Sequence, residues 1–313
     1  MKHLKTKLTV LLAAQLLLAA GLYWSGLQQQ TRAPSESLLT FNSSEIDKLK
    51  ISADGVDLEI VKIDGHWQLP QFENLPATSE KLDNLLTNLG GLMPGWPTST
   101  TASSHQRFEV GEDNFQRHLQ LFKGDKNVAD LLLGTSPGFR KVHARVKDQD
   151  AVYAVKLNHF ELSAKSEDWL DKSLLAERNL EQIKGQDYVL LKSEDEWQFE
   201  DVSAQKPGEL TGVNKSKANE LIASLENLSV QSIAQTTPQG EAKVIEAMTR
   251  DQRWRYQFIA ENEKFFANRD DRDIWFSISK ADYEKITQPN KQQLAIKVEQ
   301  SDEELTEGAT TKS

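Results

Sequence analysis

The apolar positions of this chain form first one unbroken run, then alternating pairs, then a helical stripe, and the last two patterns recur. The unbroken run is Leu8 to Leu27 (LTVLLAAQLLLAAGLYWSGL), twenty residues without a charge and with Gln15 as the one strongly polar interruption. As a helix rising about 1.5 Å per residue it spans about 30 Å, the thickness of a bilayer's hydrocarbon core. Tyr23 and Trp24 stand near its far end, where amphipathic rings favour the headgroup zone. Lys2, Lys5 and Lys7 precede it, which keeps the N-terminus in the cytoplasm and puts the bulk of the chain outside. The rival reading is a cleaved signal peptide, which needs small residues at the last and third-last positions. Cuts after Ala20 or Ser25 place Leu18 or Tyr23 third from the end. The pattern therefore predicts an uncleaved transmembrane anchor.

A polar stretch with Pro34, residues 28–37 (QQQTRAPSES), reads as a spacer. Asn42-Ser43-Ser44-Glu45 then has the grammar of a capped helical turn. Beyond it the period becomes two: Leu49 and Ile51, then Val56, Leu58 and Ile60, then Trp67 and Leu69, with Asp54-Gly55 and Asp64-Gly65 between the runs. Asp-Gly between alternating apolar runs is the strongest local hairpin signal, so the segment predicts a three-stranded meander. The stripe follows. In SEKLDNLLTNLGGL the residues Leu82, Leu85, Leu86, Leu89 and Leu92 share one helical face, and Gly90-Gly91 and Pro94 stop the helix. Thr98 to Ser104 is polar and reads as a loop. Strands are predicted at His118 to Lys123, Val128 to Leu133, Lys141 to Val146 and Val152 to Val155, closed by a helical turn over Leu157 to Leu162.

The second half repeats this order. Glu181 to Lys184, Tyr188 to Lys192 and Trp197 to Phe199 read as another meander, and Trp197-Gln198-Phe199 overlays Trp67-Gln68-Leu69 at an offset of 130. A helix from Lys217 to Leu228, capped by Asn214, carries Leu221, Ile222, Leu225 and Leu228 on one face; these overlay Leu85, Leu86, Leu89 and Leu92 at an offset of 136. Strands follow at Val244 to Met248, Trp254 to Ala260, Lys264 to Ala267 and Ile274 to Ile278. The close, Ile274-Trp275-Phe276-Ser277 with Tyr283-Glu284, resembles Val152 to Val155 with Phe160-Glu161. Matches in one order predict an internal duplication. From Gln288 the chain is polar and acidic, and it reads as a disordered tail.

Charge narrows the function. Of the 37 Lys and Arg, three precede the apolar run; the remaining 34 face 47 Asp and Glu. An acidic outer region argues against nucleic acid and against lying on anionic headgroups. The chain has no cysteine, which removes disulfides, thiol nucleophiles, Cys-ligated metals and lipoprotein processing. The tryptophans Trp67, Trp197, Trp254 and Trp275 lie within predicted strands and read as packing rather than a ligand cage.

Few constellations carry chemistry. Gly134-Thr135-Ser136-Pro137-Gly138 matches G-x-S-x-G, with Ser136 in the nucleophile's place. A nucleophile elbow needs a helix directly after it, whereas FRKVHARV has strand grammar and Pro137-Gly138 is turn chemistry. The histidines (His3, His66, His105, His118, His143 and His159) lack the spacing of a helical zinc pair. Arg269-Asp270-Asp271-Arg272-Asp273 interrupts a calcium-loop pattern with Arg272 and reads as a hairpin turn. No phosphate-cradling glycine motif is present. No catalytic, cofactor-binding or metal residues are assigned, and no cofactor is expected.

Taken in order, Ser44 to Ile51, Asp64 to Leu69, Leu82 to Leu92, Leu131 to Gly134 and Val152 to Val155 resemble the DUF4340 family of bacterial envelope proteins, over about Leu38 to Ile286. The resemblance implies an accessory component associated with gliding-type ABC transporter subunits, and no activity or site residue.

The expected fold is α+β: an N-terminal transmembrane helix followed by two related antiparallel β-meander-plus-helix modules. The expected layout is residues 1–27 as cytoplasmic N-terminus and anchor, 28–37 as spacer, 38–165 and 181–287 as the modules, 166–180 connecting them with Trp169-Leu170-Asp171 packed as a short helical segment, and 288–313 as the tail. The expected protein is a single-pass bacterial inner-membrane component with its C-terminal domain in the periplasm. Its expected partners are the lipid bilayer and an ABC permease or accessory subunit. A non-catalytic scaffolding role leads; the alternatives are a periplasmic binding module for a peptide or polymer, and a hydrolase using Ser136.

Overall fold

Two-residue turns set the register of both halves in the computed structural model, which describes residues 14–21, 36–200 and 210–297. Asp54 and Gly55 have φ of 53° and 77°, and Asp64 and Gly65 have 50° and 83°. Two positive φ values make the mirror-image turn whose twist matches that of the flanking strands. The same turn recurs without glycine at Glu194-Asp195 and Asn262-Glu263. The chain divides into two compact units, Met1–Leu170 and Asp171–Ser313.

The first unit holds β1 (Lys48–Ala53), β2 (Val56–Ile63), β3 (His66–Leu69), β4 (Leu75–Pro76), β5 (Pro97–Ser99), β6 (Arg117–Lys123), β7 (Lys126–Leu133), β8 (Val142–Val146) and β9 (Val152–Val155). They form one sheet in the order β4-β3-β2-β1-β6-β7-β8-β9-β5, paired antiparallel throughout. Leu49, Ile51, Leu58, Ile60, Trp67, Leu119, Leu121, Leu131 and Leu133 bury on one face. The helix Ser79–Gly90 buries Leu82, Leu85, Leu86 and Leu89, each such side chain contributing about 1.5–3 kcal/mol. Trp67 Nε1 donates to Asp83 Oδ1 at 3.4 Å, tying helix to sheet. A smaller core lies on the sheet's other face, where Val110, Leu132 and Val152 pack with Phe108 and Phe115.

The second unit holds β10 (Gln182–Lys184), β11 (Val189–Ser193), β12 (Glu196–Phe199), β13 (Leu210–Val213), β14 (Val230–Ile233), β15 (Lys243–Met248), β16 (Arg253–Glu261), β17 (Lys264–Arg269), β18 (Phe276–Ile278) and β19 (Ala295–Lys297). Its sheet runs β12-β11-β10-β15-β16-β17-β18-β14, and β13 pairs with β19 apart from it. That order follows the path β3-β2-β1-β6-β7-β8-β9-β5 strand for strand. The leucine helix again falls before the edge strand, as Lys215–Glu226, capped by Asn214 accepting from the Lys217 N–H at 3.2 Å.

The structure revises two expectations. Residues 288–297 do not belong to a disordered tail: Asn290 and Gln293 form a capping box for the helix Lys291–Leu294, Leu294 is buried, and β19 pairs with β13. The connecting segment packs at Trp169 and Leu170, as expected, next to a 3-10 turn over Ser166–Asp168. Trp169 and Leu170 are buried in the first unit, where Trp169 O accepts from the Thr78 N–H at 2.7 Å. Leu175 O, in the second unit, accepts from Tyr256 Oη at 2.9 Å. Within the polar stretch read as a loop, β5 pairs with β9, and a 3-10 turn over Ala102–Ser104 runs into the short helix His105–Phe108. Of the expected anchor, residues 14–21 are helical and exposed, and the rest of Leu8 to Leu27 lies outside the described residues. Among the described residues no helix is long and apolar enough to cross a membrane.

Candidate functional site

Ser136 stands in an exposed turn whose geometry is set by its neighbours. Its Oγ lies 2.9 Å from Gly138 O and 2.7 Å from Lys141 O, closing the loop onto itself. β8 follows directly, not a helix. The nearest imidazole in sequence, His143, is bonded to Thr135 Oγ1 at 2.9 Å through Nδ1 and packs on Phe108 with ring centroids 4.3 Å apart. Burial pushes the His143 ring below the usual histidine pKa, with Arg107 adding to the effect against a backbone hydrogen bond. Gly134 explains its own place in the motif: a Cβ there would lie 1.9 Å from Phe108 O and 2.3 Å from Glu109 O. The glycine gives the backbone of residues 108–109 room to cross β7.

The polar cluster with the closest geometry sits half-buried on β6 and β7, on the face that carries the smaller core. His118 Nε2 meets Asp130 Oδ1 at 2.5 Å, while Gln120 and Asn127 donate to Asp130 Oδ2 at 2.9 and 3.0 Å. Burial alone would raise the Asp130 carboxyl; the hydrogen bonds from Gln120, His118 and Asn127 and the charge of His118 carry it below its ordinary value. Ser52 faces His118 across the β1–β6 pair, and the carboxylate of Asp130 engages the ring through Nε2. The periodicity does not reveal this cluster. A bulge after Leu121 shifts the register so that Gln120 opposes Asp130; an unbroken hairpin would place Asp130 on the other face.

In the second unit, Gln182, Lys184, Val189, Glu200, Glu246, Met248 and Arg253 line a shallow cavity of about 410 Å³. Arg253 donates to Glu246, and Lys184 Nζ lies 3.8 Å from the same carboxylate. The Arg253 hydrogen bond holds Glu246 below the usual carboxylate range, helped by the charges of Arg253, Lys184 and Arg255. Lys184 and Glu246 face each other across β10 and β15, and Arg253 reaches Glu246 diagonally from β16.

The acidic run at 269–273 forms a closed turn. Arg269, 6% exposed, donates Nε and Nη2 to the two oxygens of Asp271 at 2.8 and 3.0 Å, and stacks over Trp254 at 4.4 Å. Arg272 takes Asp271 as well. Burial alone would raise the Asp271 carboxyl, yet the two arginines carry it far below its ordinary value. Asn268 Nδ2 donates to Arg272 O and Ile274 O at 2.9 and 2.8 Å. A carboxylate held by two guanidinium groups is not free for a cation. Among the described residues no group of three or more His, Asp or Glu is arranged to hold a metal. His66 is solvent-facing, His105 is half-buried with Nε2 3.0 Å from Asp150 O, and His159 opens the 3-10 turn His159–Leu162, which Asn158 caps; His3 lies outside the described residues.

The fold thus defines an α+β protein of two antiparallel-sheet units, each carrying polar clusters paired within a single sheet or turn. The chain belongs to the DUF4340 family, described as a domain of unknown function, whose sequence profile matches residues 67–246, more than half of the chain. The match begins at Trp67 in β3 and ends at Glu246 in β15, so it takes in both leucine helices but not Ser44 to Ile51. No curated protein and no solved structure matches the chain.

Proposed function

We propose that this chain is a non-catalytic accessory or scaffolding subunit of an envelope ABC transport complex, held at the inner membrane by Leu8 to Leu27 with its two units in the periplasm. The observation that carries the reading is the pairing of that charge-free run with a body whose reactive-looking groups are already engaged. Ser136 closes its own turn, Asp271 is held by Arg269 and Arg272, and Asp130 is held by three donors. Side chains committed in this way stabilise sheets and turns rather than wait for a substrate. The transport association is what the resemblance to the DUF4340 family implies; the family is described as a domain of unknown function. The shared strand order of the two sheets supports descent of both units from one duplicated module.

The test is co-purification from native membranes in mild detergent. A permease should accompany the intact chain and be lost when Leu8 to Leu27 is exchanged for an unrelated anchor; isolation alone would count against the reading. A binding module is the second reading, favoured by the 410 Å³ cavity over β10, β15 and β16. Loss of peptide or polymer capture in Arg253→Ala would support it. The hydrolase reading requires an esterase activity abolished by Ser136→Ala.

A further inference from the structure

We propose that the turn Met93-Pro94-Gly95-Trp96 is a bilayer-contact surface, seating one corner of the first unit on the headgroup zone of the membrane. This rests on the anchored reading above. Met93 and Trp96 are 58% and 52% exposed, although both are large and apolar. They are presented by a built turn: Pro94 is buried, Gly95 has φ 63°, and Pro97 starts β5, paired with Tyr153. Other exposed apolar side chains sit among charges, as Val56 between Asp54 and Asp57, or Phe139 beside Arg140 and Lys141. Around Met93 and Trp96 the sequence from Asn84 to Ser104 carries no Asp, Glu, Lys or Arg. In a chain with 47 acidic and 37 basic residues, that segment meets a headgroup layer without bringing a carboxylate to it.

The occupant is indicated by where the chain comes from. The Leu38 N–H donates to Leu92 O at 2.8 Å, and Ser37 Oγ to the same oxygen at 3.4 Å. The first unit is therefore fastened to the preceding chain one residue from Met93, and Leu39 is buried directly after. From residue 21 to residue 36 a chain reaches at most about 50 Å. A tether that short keeps this corner at a high effective concentration against the bilayer, so a contact too weak to recruit a free protein becomes populated. Tryptophan suits that depth, with an apolar ring and one N–H for the wet side.

The absence of cysteine makes single-site labelling direct. Met93→Cys and, as reference, Val56→Cys would each be made in the full chain, spin-labelled and reconstituted into phosphatidylcholine vesicles. Accessibility to oxygen and to a neutral nickel chelate would then be measured by power saturation. The expected result is a lipid-like ratio at 93, an aqueous ratio at 56, and loss of the lipid-like ratio when Trp96→Ser is added. An aqueous ratio at 93 in protein that floats with the vesicles overturns the contact and leaves the anchor standing. Protein that does not float removes anchor and contact together. A label shielded from both reagents means a protein neighbour covers the turn, which also overturns the proposal.

Discussion

Replacing Gly134 with alanine puts a methyl group where the backbone of residues 108–109 already lies. The added Cβ would sit 1.9 Å from Phe108 O, 2.3 Å from Glu109 O and 2.6 Å from the Glu109 carbonyl carbon. All three are backbone atoms, so no rotamer change relieves the overlap. Moving them to ordinary contact opens a gap of about 1 Å, which forfeits a quarter to a half of the dispersion across it. The same shift stretches the hydrogen bonds from the Thr135 N–H to Phe108 O and from the Gly134 N–H to His143 O, both 2.9 Å. It also pulls Phe108 from the cluster of Val110, Leu132 and Val152. Two hydrogen bonds at about 1 kcal/mol each, with the loosened cluster, give a loss of about 3–4 kcal/mol. With a urea slope of about 2 kcal/mol per molar, the midpoint of the first unit falls by about 2 M. Urea unfolding by circular dichroism would measure it, with amide exchange at Leu133 and Ala144 reporting on the first unit itself. Ser136→Ala, which removes only an exposed loop contact, should cost under about 1 kcal/mol. A Gly134→Ala loss equally small would refute the reasoning, because the motif would then not be a packing device.

Asp271→Asn should cost about 2 kcal/mol at neutral pH, the worth of hydrogen bonds between charged groups. Because the folded carboxyl titrates below its unfolded value, the stabilisation is present above about pH 4 and is lost as pH falls through the depressed folded value. The melting-temperature difference between wild type and variant should therefore shrink toward pH 2; a constant difference would contradict the pairing. Tyr188 is 5% exposed, its hydroxyl makes no hydrogen bond, and burial pushes its phenol above the usual range. Tyr188→Phe should raise stability by up to about 1 kcal/mol, and a lowered melting temperature would show that the hydroxyl is partnered. Asp195 holds φ 67° without glycine, so Asp195→Gly should gain up to about 1 kcal/mol by removing left-handed strain, as read from the chemical-denaturation midpoint. A clear loss would mean that the turn is held by Asp195 itself.

The meanders, both leucine helices and the family were legible because each had a local cause. Asp54-Gly55 and Asp64-Gly65 announce their turns, and Leu82, Leu85, Leu86 and Leu89 mark a buried face by spacing alone. What escaped depends on distant partners. β5 is a strand only because β9 lies beside it, and its residues, Pro97-Thr98-Ser99, have loop composition. Trp169 and Leu170 are legible as a packed segment, but not their partner, the Thr78 N–H that bonds Trp169 O. Lys291–Leu294 looked like the start of a polar tail, yet β13 gives β19 a strand to pair with. The His118–Asp130 pair needed a bulge that no periodicity encodes. Ser136 was legible as a turn because strand grammar resumes at once after Gly138.

Whether Leu8 to Leu27 remains on the protein decides the account, and intact mass spectrometry of the chain from washed membranes measures it. The account predicts the full 35.3 kDa chain in the membrane fraction after alkaline carbonate extraction. A shorter chain beginning after Ala20 or Ser25 and released into the soluble fraction would contradict it.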